Sequence, residues 1–149
     1  MEAKNEFSKI NVNVRLELFS KAGELKSIQE VHNAVLTAGK NGIADQVLAS
    51  PSLSKPGWCE LGTGTGGTTL LATYISGSRT AFTSKTRATN VVTMVTDFAA
   101  GVGTGNITEA GIFDVATQNT LNMWMYATFT AITKGASDTL KITWTLTIN

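Results

Sequence analysis

The chain has 149 residues, a formal net charge of +1 and only 15% charged residues. That length fits one domain, which can bury roughly 68–70% of its unfolded surface and needs neither disulfide nor metal to fold. The near-neutral balance, with no basic patch, lacks the electrostatic footprint of a nucleic-acid binder, and a single cysteine excludes an intrachain disulfide or a CxxC zinc site.

The opening stretch, MEAKNEFSKI, is charged and polar without an apolar h-region, so no signal peptide is expected and the chain is read as made in a cytoplasm. Residues 1–9 show no apolar periodicity. They are expected to form an arm that becomes ordered on a neighbour, with Met1, Glu2, Lys4 and Phe7 as its contact residues. From there on, residues 10–149 read as one domain. In NVNVRLEL, Val12, Val14, Leu16 and Leu18 alternate with Asn13, Arg15 and Glu17, the period of a strand with one face in the core.

Turn residues Lys21 to Gly23 follow, then a strand over Ile28 to Leu36. A helix is expected from Asn41 to Ala49, because Ile43, Val47 and Leu48 share a face and Pro51 stops it. Trp58 to Leu61 reads as a strand, and Leu70 to Ile75 as a second short helical turn. Thr80 to Thr86, Val91 to Phe98, Ile107 to Phe113 and Met123 to Ile132 complete the middle. The end is the clearest segment: in TLKITWTLTI, Leu140, Ile142, Trp144, Leu146 and Ile148 alternate strictly with threonines and a lysine. Threonine supplies about one residue in six, and its β-branched side chain favours a pleated surface. About eight short strands with turn signals between them predict an all-β antiparallel sandwich, jelly-roll-like, with one short helix. No apolar run approaches the roughly 18 residues of a membrane span.

Most chemistries fail on residue counts. ELGTGTGGTT contains Gly62-x-Gly64-x-x-Gly67, the spacing of a dinucleotide loop, but no acid lies in Ala81 to Thr89, where the ribose partner belongs. No Gly-Lys-[Ser/Thr] follows, so it is not a P-loop. The stretch reads as a flexible loop using glycine for its free φ. His32 is the only histidine and reads as a hydrogen-bonded structural residue. It is also the sole base available to Cys59 or to any serine triad, and no Gly-x-Ser-x-Gly elbow occurs. Cys59 beside Trp58 reads as a small core residue. Glu60, Asp97, Glu109, Asp114 and Asp138 stand one to a strand or loop, a distribution against paired-carboxylate catalysis. The chain is therefore expected to be neither an enzyme nor a holder of cofactor or metal. Along 123–132, Trp124 and Tyr126 lie on one side and Met123, Met125 and Phe129 on the other. A strand apolar on both faces suggests a subunit interface, with Trp124 and Tyr126 as its candidate residues.

Three stretches, VHNAVLTAGKNGIADQVLAS (31–50), CELGTGT (59–65) and NITEAGIFD (106–114), with the closing DTLKITWTLTI, resemble a broad group of tailed-bacteriophage structural proteins. The likeness covers residues 30 to 149. It implies a capsid decoration or cement protein on the outside of the head, bound to the major capsid protein as a homo-oligomer, a trimer favoured. Related sequences with tail or fibre labels make a tail-associated or receptor-binding module the alternative. Members often place an acid and an arginine after the GTGT loop; here Arg79 is present and the acid is not, which puts that ion pair in doubt.

Overall fold

A computed structural model describes residues 9–149. Met1, Glu2, Lys4 and Phe7, assigned to an arm, lie outside the described residues. Nine strands form two antiparallel sheets facing each other: β1 (Ile10–Phe19), β2 (Leu25–Asn33), β3 (Trp58–Gly62), β4 (Thr80–Ala81), β5 (Ser84–Ala88), β6 (Val91–Phe98), β7 (Gly105–Phe113), β8 (Met123–Lys134) and β9 (Thr139–Ile148). The first sheet has the order β2-β1-β9-β6-β5, the second β4-β3-β7-β8. The expected all-β sandwich with one short helix is the fold. The chain fills it two strands at a time, hairpin by hairpin, and β9 returns alone to the middle of the first sheet.

Alternation explains that position. Val14 and Leu16 on β1 pair with Trp144 and Ile142 on β9, and Trp144 pairs in turn with Met94 on β6. All five are buried against the second sheet. Their odd or even neighbours Asn13, Arg15, Thr143, Thr145 and Thr93 take the outer face, which is therefore polar and rich in hydroxyls.

Four local expectations need correction. Residues 80–86 are not one strand: Thr80–Ala81 pairs with β3 in the second sheet, and after Phe82 and Thr83 the chain crosses to become β5 in the first. Residues 70–75 form bends, with Tyr74 bridged to Gly62, and no helical turn. The strand expected over 28–36 begins and ends three residues earlier, at Leu25 and Asn33.

The helix, α1 (Thr37–Asp45), also starts four residues before the expected Asn41. It is not built on propensity, since its glycines each cost about 0.5–1 kcal/mol against alanine. Those glycines are the reason for its place. A methyl group on Gly42 would overlap the Trp124 ring, and one on Gly39 the Trp124 carbonyl. Leu36 N–H donates to the same carbonyl at 2.9 Å, and Val35 bridges to Met125. The helix thus packs on the β8 edge at Trp124 and Met125 and covers it there, one way proteins blunt an open sheet edge. After Asp45, its carboxylate accepts from Ser52 N–H and Oγ and from Leu53 N–H, which turns the chain away. Leu53 and Ser52 hold that carboxyl below its ordinary value. No helix among the described residues is long and apolar enough to cross a membrane.

Candidate functional site

The glycine stretch and both buried glutamates meet on the outer face of the second sheet. β7 is central there, and its outward residues Glu109, Gly111 and Phe113 are fully buried. The segment between β3 and β4 folds back as a third layer over them. Leu71, Phe113 and Met123 form a small apolar cluster beneath it, joined by Leu36, Leu70 and Tyr126.

Glu109 organises the upper half of that layer. Its carboxylate accepts from Gly64 N–H (3.2 Å), Thr73 N–H (2.8 Å), Ala72 N–H (3.1 Å) and the Tyr126 hydroxyl (2.8 Å). Four donors satisfy a carboxylate that would otherwise be buried at high cost. The register of β7 against β8 shifts between Ile107 and Glu109, a bulge that turns the glutamate outward. Tyr126 closes the ring: its oxygen also accepts from Gly66 N–H at 2.7 Å. Burial pushes the Tyr126 phenol above its ordinary value, and the adjacent Glu109 carboxylate pushes the same way.

The glycines are needed for nearness more than for backbone freedom, which corrects the flexible-loop reading. A methyl group on Gly62 would lie 2.5 Å from Glu109 Oε1, and one on Gly64 2.8 Å from the Ala72 Cβ and 2.9 Å from the Thr73 nitrogen. Of the glycines in the stretch only Gly66, with φ +88°, uses the left-handed region. The loop wraps an anion, but the anion is the protein's own side chain.

Glu60 organises the lower half. It pairs with Arg79 at 3.1 Å, both side chains 1% exposed, and accepts from Gln118 Nε2 at 2.6 Å. Arg79 also donates to the carbonyls of Val115 and Thr117, and its guanidinium lies 3.7 Å over the Phe113 ring. Gln118 reaches Ile75 and Gly77, so two loops are tied to β3 through one carboxylate. Arg79 is thus paired, but not within the segment where the resemblance places both partners. Its acid comes from the strand before the glycine stretch, not from the segment after it.

Glu60 and Glu109 are thus brought to one face, each saturated by internal donors. Asp114 sits apart against the Trp124 indole, 3.3 Å from its nitrogen, and Asp138 caps the β8–β9 turn through Gly135 N–H and Lys26. Asp97 is at the surface near Lys141. Cys59 is fully buried in the core, and burial pushes its thiol up to about 12. His32 is exposed on β2 in the opposite sheet, paired through its backbone with Asn13. It is not the structural residue expected, and it is remote from a thiol that faces the core.

Trp124 and Tyr126 do not form an exposed pair. Trp124 is 3% exposed beneath α1, and Tyr126 is half-buried beneath the glycine stretch. Over Met123–Ala127 both faces of β8 are covered by the chain itself, so the surplus of apolar residues there no longer argues for a second subunit. Among the described residues the most exposed large apolar one is Val47, at 86%, with Leu48 and Leu53 nearby in the loop after α1. Sequence reasoning missed Val47 and Leu48 by placing them with Ile43 on one face of a helix reaching Ala49, four residues beyond the observed end at Asp45.

No family model, curated protein or solved structure matches the chain.

Proposed function

We propose that the protein is a non-enzymatic structural component of a phage particle, a decoration or cement protein on the outside of the head. It contacts the major capsid protein, stabilises capsomer contacts and assembles as a homo-oligomer, a trimer favoured. The motifs at 31–50, 59–65 and 106–114 suggest the class. The observation that carries the reading is where the ionisable groups of the site are used. Glu60, Arg79 and Glu109 are consumed in fastening a cover layer to the sheet, an arrangement suited to rigidity.

The contact surface in this reading is the outer face of the first sheet, where Asn13, Thr145 and Thr93 stand side by side across β1, β9 and β6. Around those three residues the face offers hydroxyls, while its charges, Arg15, Glu17, Lys141 and Asp97, gather towards the other end, so neighbouring copies can approach and hydrogen-bond closely at the hydroxyl end. The test is addition of the purified protein to undecorated heads, read by co-sedimentation, with light scattering for the oligomer. Saturable binding that Thr145→Glu abolishes, with the melting temperature unchanged, is the expected result. A protein that ignores heads but binds tails moves the assignment to the tail or fibre reading; a monomer that binds neither removes both.

A further inference from the structure

β5 is an edge strand of the first sheet. Against its inward face lies a cleft of about 500 Å³, walled by α1 and the loop that leads into β3. Its floor is apolar: Val92, Met94, Met125 and Leu146. Ligand pockets commonly span about 300–1,000 Å³ and combine such a floor with a few convergent polar groups.

The charged groups here are all cations, with Gln46 the one neutral polar side chain of the lining. Lys85 pairs across the ladder with Met94, and Arg87 with Val92, so both side chains leave β5 on the inward face, where alternation asks for apolar residues. Lys55 approaches from the opposite wall. None of the three forms an ion pair among the described residues. Their visible partners are weaker: Lys85 Nζ donates to the Pro56 carbonyl at 2.8 Å, and Arg87 to the Thr89 carbonyl at 2.6 Å. Burial, with Lys55 adding repulsion, lowers the Lys85 pKa, a cost that a bound anion would relieve.

Inward-pointing charge is also a known guard against edge-to-edge strand pairing. That accounts for a lysine and an arginine on an edge strand. It does not account for an apolar hollow beneath them or for a third cation converging from another segment.

We propose that this cleft binds a small amphipathic carboxylate, its apolar body over Met94, Met125 and Leu146 and its carboxylate between Lys55, Lys85 and Arg87. The assignment is independent of any place in a virion. Decanoate, decanol and decyltrimethylammonium are suitable probes, titrated into the full chain below their aggregation limits. Binding is read by calorimetry and by tryptophan emission, since Trp124 lines the cleft. Decanoate should bind saturably, one per chain, at least about tenfold tighter than decanol, the ratio expected for one charge-assisted contact. Lys85→Gln with Arg87→Gln should erase that preference and leave decanol binding alone. Lys85→Glu with Arg87→Glu should reverse it in favour of the ammonium amphiphile. Both residues are exposed, so the fold should survive these changes, with a thermal melt as the check. Equal binding of decanoate and decanol, or no saturable binding of either, overturns the proposal and leaves edge protection as the role of the cations.

Discussion

The two sheets are stabilised by opposite means. In the first, β1, β9 and β6 bury one apolar face and leave the other to water, so burial of side chains such as Trp144 and Leu16 supplies the stability. In the second, β7 is covered on both sides, and its outer cover is an irregular segment held by two buried carboxylates. A regular strand satisfies its own backbone through its neighbours. An irregular layer has no such ladder, and its free N–H groups need side-chain acceptors. Glu109 provides them for Gly64, Ala72 and Thr73.

Substitutions can break this contrast, and the largest effects fall at the centre of each region. Trp144→Ala should destabilise by about 3–5 kcal/mol through the cavity it leaves, measured by denaturant unfolding. Arg79→Met should cost a similar amount, about 3–5 kcal/mol, because it strands Glu60 without its cation. The comparison sharpens in the double variant: Glu60→Met with Arg79→Met should recover much of the loss, since a buried pair replaced whole is often near neutral. If the double variant is as unstable as the single, the cover layer is not held by charge.

A smaller effect is expected at Tyr126. Tyr126→Phe removes a donor to Glu109 and an acceptor for Gly66, at about 1–2 kcal/mol. The phenol's value in the fold is raised above 10, so the neutral form is favoured there. Its contribution is complete below pH 10 and is lost as pH climbs through the raised value. Alkaline titration of hydrogen exchange at Gly66 should show loosening that the phenylalanine variant lacks. Smallest of all, Thr143→Ala on the open face should change stability by well under about 1 kcal/mol. A loss equal to that of Trp144→Ala would reverse the facing of β9.

Regular alternation made β1 and β9 of the first sheet legible, and an apolar run marked β6. Thr139–Ile148 and Val91–Phe98 appear at their expected bounds, and Trp144 lies in the core as its neighbours Ile142 and Leu146 require. The helix was misplaced because its register is set by what lies beneath it. Gly39 and Gly42 carry no hydrophobic period, and only Trp124 explains why a helix needs bare backbone there. The split of residues 80–86 between two sheets is equally invisible in TAFTSKT, which holds neither glycine nor proline to mark the crossing.

What the sequence determined by itself is the class of fold and the inward face of its regular strands, because a period of two is a local property of the chain. The tertiary structure alone decided the site. Glu60 and Arg79 are 19 residues apart, and Glu109 lies 45 residues beyond Gly64. In sequence they read as scattered acids, a lone arginine and a dinucleotide-like loop. Only when the loop folds over β7 do the glycines admit Glu109 and the arginine meet Glu60, since a buried charge takes its partner from whatever the fold brings within a hydrogen bond's length.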